Sequence, residues 1–231
     1  MVSLGVRASA AKVIASVIAD GQSLDAALDP ALETVSARDV GLLKALCYGT
    51  LRGLHRYQGL LDQLLDRPLK TKDRDIHALL LLGCHQLIDM RVADHAALAT
   101  TVEGAAQLGK PWAKSLINGV LRQLQRRSGE LLSQLEPAAA DSHPEWLYRV
   151  IHNNWPDDAE SILSSNNAHP PMFLRVNRTH HSREAYRSLL ATAGITSQPD
   201  SYSEDALLLD EPVTVTSLPG FELGWCSVQD A

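Results

Sequence analysis

Three kinds of side chain in this 231-residue chain have chemistry to offer: cations, thiols and imidazoles. The cations stand out. Arg7, Arg52 and Arg56 lie early in the chain, and Lys114, Arg122, Arg126 and Arg127 form a second group. Gathered on one face, these residues would bind a phosphate backbone, with affinity falling steeply as salt rises. The competing reading is a set of solvated helix faces. Positive charge near a helix C-terminus is worth about 0.3–1 kcal/mol without any ligand. The basic residues of "LKTKDR" (69–74) lie beside acids and read as a polar connector.

The thiols and imidazoles offer less. Cys47, Cys84 and Cys226 form no CxxC pair, which points to a reducing, cytoplasmic setting. Cys47 and Cys84 fall on apolar stripes and read as core residues. Nine histidines invite a metal site, but their spacing does not support one. His180 and His181 are adjacent in a turn, and His77 and His85 flank an apolar helix as packing or surface residues. Asp94-His95 is explained as an N-cap followed by a first-turn residue.

Composition bounds the carrier of these groups. Apolar content of 45% and charged content of 21% are ordinary for a folded protein. No apolar run approaches the ~18 residues of a membrane span, and the N-terminus does not read as a signal peptide. The net charge of −6 hides an asymmetry. Residues 1–140 carry 16 Lys/Arg against 14 Asp/Glu, whereas residues 141–231 carry 5 against 13. An acidic whole argues against indiscriminate nucleic-acid binding but leaves room for a local basic face.

The elements that must position the cations are helices. "RASAAKVIASVIADG" (7–21) has helical apolar spacing and a glycine stop at Gly21. "SARD" (36–39) resembles a capping box, and Leu43, Leu46, Cys47, Leu51 and Leu54 then share one face. Gly49 and Gly53 bend that segment or admit a close neighbour. "DRDIHALLLLGCHQLIDM" (73–90) is apolar on several sides and reads as a central helix. "DHAALATTVEGAAQLG" (94–109) runs from an N-cap at Asp94 to a stop at Gly109. In "WAKSLINGVLRQLQRR" (112–127), Ala113, Leu116, Ile117, Val120, Leu121 and Leu124 form one buried stripe. Arg122, Gln125, Arg126 and Arg127 lie off it.

A connector follows at "EPAAADSHPEW" (136–146), with "SHPE" as a second capping box. Helices near 144–154 and 156–166 precede a change of style. "PPMFLRVN" (170–177) is extended, "SREAYRSLLATAG" (182–194) is a capped helix, and "ALLLD" (206–210) and "VTVTS" (213–217) are short strands. The closing "PGFELGWCSVQDA" (219–231) turns at Pro-Gly and offers Asp230 as the N-cap of a further helix. The expected class is mainly α: an all-helical domain over 1–140, then a smaller α+β subdomain over 141–231.

Three segments carry a family resemblance. "RDVGLLKALCYGTLRGLHRYQGLLDQLLDRPL" (38–69) and "LLLLGCHQLIDMRVADHAALATTVEGAAQLGKPWAKSLINGVLR" (79–122) together resemble the NusB-like helical domain, with "INGVLR" the most telling stretch. "SHPEWLYRVIHNNW" (142–155), "NNAHPPMFLRVN" (166–177) and "LPGFELGWCSVQDA" (218–231) follow in an order similar to the front half of the Sun/Fmu-type (RsmB) 16S rRNA cytosine-5 methyltransferases. The motifs are moderately specific singly, and their order is highly specific.

The resemblance implies rRNA binding by the helical domain and an RRM-like second subdomain. It also implies a following methyltransferase domain that uses S-adenosylmethionine, with "GW-SVQD" at its doorway. Cys226 departs from the aromatic or apolar residue common there. The family's nucleophile and helper are cysteines in Pro-Cys and Thr-Cys contexts, and Cys47, Cys84 and Cys226 match neither. No Gly-x-Gly occurs among the 14 glycines. The expectation is therefore a recognition half that lacks catalytic and cofactor-binding residues, has 16S rRNA as its partner and takes neither metal nor membrane. Arg175 and Asn177 of "FLRVN" would touch RNA or an interdomain seam, the seam being the reading taken, and Trp225 would pack across that seam. The alternative is a non-catalytic NusB-like transcription or assembly factor; a plain helical interaction module would have no RNA affinity.

Overall fold

The computed structural model describes residues 4–90 and 92–229, so the helix start read at Asp230 lies outside the described residues. The chain divides into two compact units, residues 1–167 and 168–231.

The first unit is helical. It comprises α1 (Val6–Asp20), α2 (Leu24–Leu32), α3 (Val40–Arg52), α4 (Leu54–Leu64), α5 (Arg74–Ile88), α6 (Asp94–Gln107), α7 (Ala113–Ser133), α8 (Pro137–Ala140), α9 (Glu145–Asn154) and α10 (Ala159–Asn167). The helix apolar on several sides is the centre: α5 packs against α1, α3, α4, α6 and α7. Leu79, Leu80, Leu81 and Leu82 on α5 are fully buried, so the helix is covered on every side. Leu43, Leu46, Cys47, Leu60, Ile117 and Leu121 complete this core. A small separate cluster of Ile151, Ala159 and Leu163 joins α9 to α10.

Glycines shape two features of this bundle. Gly21 ends α1 in the left-handed conformation, φ 66°, where a side chain would be strained. Gly49 admits a close neighbour, since a Cβ there would lie 2.1 Å from Nε2 of buried His85. On its far side the His85 ring is held by the Tyr57 hydroxyl, 2.8 Å from Nδ1. Gly49→Ala should gain about 1 kcal/mol of helix propensity. Overpacking a fixed ring costs about 1–3 kcal/mol, and disrupting a buried hydrogen bond costs a similar amount. The expected net is a loss of about 2 kcal/mol, read as a lower urea midpoint at unchanged slope. An unchanged or higher midpoint would show that the ring yields freely.

Several helix starts differ from the capping patterns in the sequence. Ser36 donates to Asp39 Oδ2 at 2.6 Å instead of capping, and a 3-10 turn at Ala37–Asp39 leads into α3. Asp94 is the first residue of α6, after an Ala93 cap, and its carboxylate accepts from Gln125 Nε2 at 2.9 Å. Ser142 does not cap α9 either. It takes φ 57°, and its hydroxyl donates to the Arg52 carbonyl at 2.9 Å. In each case a more distant partner, or an adjacent carboxylate, takes the side chain from the local backbone.

The second unit contains β1 (Met172–Val176), α11 (Arg183–Thr192), β2 (Ser197–Pro199), β3 (Ala206–Leu209) and β4 (Cys226–Val228). The sheet order is β2-β3-β1-β4, antiparallel at every pairing. This is the ferredoxin-like order, with two 3-10 turns in place of a second helix between β3 and β4. Alternation buries Met172, Leu174 and Val176 with Tyr186 and Leu190 of α11, and leaves Phe173 and Arg175 on the opposite face. "VTVTS" is not a strand. Residues Val215–Ser217 form a 3-10 turn closed by Ser217 N–H to the Thr214 carbonyl at 2.9 Å. Its β-branched residues pair with no strand; the two long strands are already flanked, β1 by β3 and β4 and β3 by β2 and β1. Trp225 packs inside this unit, edge-on to His181 with ring centroids 4.5 Å apart.

Candidate nucleic-acid interface

The seven cations singled out in the sequence meet different fates. Arg7 donates from Nε to Gln86 Oε1 at 2.9 Å, and buried Gln86 in turn donates to Thr101 Oγ1 at 2.8 Å. This chain ties α1 to α5 and α6. Burial pulls the Arg7 guanidinium below its usual pKa, against the opposing pull of Asp39. Arg56 donates from Nε to the Ala140 carbonyl at 3.1 Å and faces Asp89 at 3.5 Å. Lys114 is paired with Glu103 at 2.8 Å. Arg127 sits at a kink in α7, φ −120°, and forks onto Glu130 at 2.9 and 2.6 Å. Arg52 is half-buried, with no side-chain partner among the described residues.

Asp89, opposite Arg56, is the exposed end of a relay whose other members, Tyr57 and His85, are buried. Tyr57 donates to Asp89 Oδ2, and its oxygen also meets His85 Nδ1. Burial raises the Tyr57 phenol well above its usual range, so it stays a donor. His85, whose Nδ1 lies 3.9 Å from Asp89 Oδ2, lowers the Asp89 pKa against burial, helped by Tyr57 and Arg56. A carboxylate depressed in the folded state stabilises fully above its unfolded value of about 3.9 and loses that contribution as pH falls through the lower folded value. Asp89→Asn should therefore flatten the loss of stability between about pH 5 and pH 3, measured by urea midpoints. An unchanged acid limb would place the linkage elsewhere.

Arg122 and Arg126 remain. Both are exposed, and neither has an acidic partner among the described residues. Arg122 rests only on Asn118 Oδ1 at 3.0 Å. At about 100° per residue, the solvent side of α7 reads Trp112, Ser115, Gly119, Arg122, Arg126. Ile117, Val120, Leu121 and Leu124 point the other way, into the core. Trp112 just before the helix is 53% exposed. Trp112 to Arg126 spans about 21 Å at 1.5 Å per residue. Small Ser115 and Gly119 leave the middle low.

At the tryptophan end lies a feature missed in the sequence. A cavity of about 450 Å³ runs between the 65–72 loop and α7, lined by Arg67, Lys70, Lys72, Trp112 and Leu116 among others. Lys110 draws off two of the nearby acids, at 3.0 Å from Asp73 and 2.6 Å from Asp75, while Asp66 stays on the cavity lining. Burial opposes its charge, yet the hydrogen bonds it donates to Asp75 and Asp73 keep its pKa above the usual lysine value. Arg74 is paired with Asp20. Arg67, Lys70 and Lys72 are thereby left exposed without acidic partners among the described residues. The signal in the sequence was Trp112 ahead of an amphipathic helix; the neutralising partners of Asp73 and Asp75 were not visible there.

The thiols are a different case. Cys47, Cys84 and Cys226 are all buried and free. Burial pushes the Cys47 and Cys84 pKa values up to about 12, and raises that of Cys226. They stay protonated near neutral pH, which suits packing and not nucleophilic attack. Among the described residues no helix is long and apolar enough to cross a membrane, and no group of three or more His, Cys, Asp or Glu gathers as metal ligands.

The fold and its surface define a NusB-type helical domain joined to a ferredoxin-like module. Residues 5–126 match the NusB family, and residues 143–216 match the description "Methyltr_RsmF/B-like, ferredoxin-like domain". The chain belongs to the NusB family. Over 97% of its length it is 46% identical to Ribosomal RNA small subunit methyltransferase B of Citrobacter koseri and 47% identical to that of Pseudomonas putida. It covers 53% and 52% of those proteins, so the chain spans about half the length of the curated relatives it matches. The crystal structure of PH0851 shares the fold, with a TM-score of 0.66 at 14% identity over 99% of this chain and 54% of that one.

Proposed function

We propose that the chain is the RNA-recognition region of an S-adenosylmethionine-dependent 16S rRNA cytosine-5 methyltransferase. In this reading residues 1–140 grip rRNA, and residues 141–231 lead toward a catalytic domain. The observation that supports it most is the solvent face of α7, where Arg122 and Arg126 have no acidic partner among the described residues and an exposed Trp112 borders a groove lined by Arg67, Lys70 and Lys72. Guanidinium groups bind phosphates, and an exposed indole stacks an unpaired base. Arg52 is a secondary candidate; Arg7, Arg56, Lys114 and Arg127 would act mainly by holding the fold or neighbouring acids.

The residues of this chain do not fit S-adenosylmethionine. The glycines with close neighbours meet the chain's own side chains: Gly49 meets His85, Gly53 meets Tyr57 and Gly83 meets Leu121. None of these frames a cradle for a ligand, and the sequence has no Gly-x-Gly. No chemical step is derived through the cofactor.

The test is binding of the whole chain to small-subunit rRNA hairpins over a salt series. Saturable binding that weakens linearly in log salt supports the reading. No binding even at low salt would sink it. The NusB match by itself would also suit a non-catalytic assembly factor, but the methyltransferase-type match at 143–216 favours the enzyme.

A further inference from the structure

Two helices of the first unit stand apart from its bundle. α9 packs against α10 and α8. Ile151, Ala159 and Leu163 form a small apolar cluster of their own, separate from the core around α5. Trp146 and Trp155, at the two ends of α9, stay 66% and 52% exposed. The attachment of this helical hairpin to the bundle runs through α8 and the turn that follows it.

That turn is strained and heavily braced. α8 ends in a Schellman motif: the His143 amide donates to the Ala138 carbonyl at 2.8 Å, and the Ser142 amide to the Ala139 carbonyl at 2.9 Å. The left-handed place in this motif is ordinarily glycine's. Here Ser142 fills it, φ 57°, the one non-glycine with positive φ among the described residues. A Cβ in that conformation crowds the backbone. Side chains from three elements hold it there. Ser142 Oγ donates to the Arg52 carbonyl at 2.9 Å, at the end of α3, where the last carbonyls lack helical partners. Arg56 of α4 donates to the Ala140 carbonyl at 3.1 Å. From α10, Asn167 Nδ2 donates to the Asp141 carbonyl at 2.6 Å, and Asn166 Nδ2 to Nε2 of buried His143 at 3.2 Å. His143 gives its Nδ1 proton to the same Asp141 carbonyl at 2.7 Å.

We infer that the 140–143 turn is a latch, and that residues 145–167 open from the helical bundle as a unit while the bundle stays folded. A non-glycine residue is kept in left-handed backbone only where its surroundings over-determine it, and such strain collects at switch segments. A segment with few buried apolar contacts is also the part of a fold that opens first. Breaking a few side-chain bonds therefore releases both the strain and the hairpin. The latch lies where the second family match begins, after the first has ended, and it does not depend on RNA binding.

Native-state hydrogen exchange of the whole chain, read peptide by peptide by mass spectrometry, tests it. Amides of α9 and α10 are expected to exchange through one shared opening, about a hundredfold more readily than those of α5. Ser142→Ala keeps the strain and loses the Arg52 bond, so opening of 145–167 should rise about fivefold with α5 unchanged. Asn167→Ala cuts the bond on the α10 side and should raise it by a similar factor. Ser142→Gly loses the same hydroxyl but removes the strain, and should return opening to within about twofold of wild type. If 145–167 exchanges only together with α5, or if Ser142→Ala speeds both alike, there is no latch. Equal acceleration by Ser142→Ala and Ser142→Gly would remove the strain on which the inference rests and overturn it as well.

Discussion

Arg122→Ala/Arg126→Ala is expected to bind an rRNA hairpin about tenfold more weakly than wild type near physiological salt, whereas Arg127→Ala stays within about twofold. The contrast follows from their partners. Arg127 already spends both arms of its fork on Glu130, and those two charges cancel at any distance that matters to RNA. Arg122 has only a neutral amide beside it, and Arg126 has no partner among the described residues. Each free guanidinium that reaches a phosphate releases counterions, at a slope of about 0.7 per contact on single strands and 0.9 on duplex. The double variant should therefore lower the log–log salt slope by about 1.5. It should weaken all RNA sequences alike, because phosphate contacts carry no sequence information. Trp112→Ala is the complementary probe and should discriminate against hairpins with unpaired loop bases. Equal losses from Arg127→Ala and from the double variant would mean that the Glu130 pair opens on binding, and the ranking drawn from pairing would be wrong.

Gly220→Ala should destabilise the second unit far more than Gly194→Ala. Both glycines are left-handed, φ 66° and φ 77°, so alanine pays a similar backbone cost of about 1 kcal/mol at either site. Their surroundings differ. Nothing lies within 4 Å of a Cβ on Gly194, whereas one on Gly220 would sit 2.1 Å from the Trp225 ring. That ring belongs to the core of the unit and bears on His181. Displacing it costs a further 1–3 kcal/mol or so, for a total near 3 kcal/mol. In a unit of this size each 1 kcal/mol moves the midpoint by roughly 4–8 °C. Gly194→Ala should shift the unit's melting by several degrees, and Gly220→Ala by roughly 12–24 °C. Tryptophan fluorescence of Trp225 in a background of Trp112, Trp146 and Trp155→Phe would report it. Similar shifts for the two variants would show that the indole simply swings aside.

The helical half was legible because its signals are local. The stripe of Ala113, Leu116, Ile117, Val120, Leu121 and Leu124 repeats at helical spacing, and the structure buries all of it but Leu116, which is half-buried. Gly21, Gly109 and Gly194 take positive φ beside helix ends where a stop was read. The family resemblance was carried by "INGVLR" and "FLRVN" in order, and both lie in the matched NusB and ferredoxin-like segments. The ferredoxin-like unit was legible only in part. β2 and β4 are three residues each, too short for alternation to register. "VTVTS" had strand-type residues, yet Val215–Ser217 close a 3-10 turn on themselves and join no strand. How the domains divide at 140/141 stays a proposal; the compact first unit extends to Asn167, while the second family match begins at residue 143.

The sequence by itself determined where most of the longer helices run, which faces are apolar, where glycine must end them, and the family to which the chain belongs; α2 and α8 were not read there. Those properties depend on residues within a turn or two of one another. Only the tertiary structure decided which cations are free. Arg7 meets Gln86, Arg56 meets Asp89, Arg74 meets Asp20 and Lys110 meets Asp73, each across tens of residues. Pairing turns on which helices lie side by side, so a charge that looks idle in the sequence can be structural. Lys70 and Lys72, beside acids in the sequence, are left without acidic partners in the described fold.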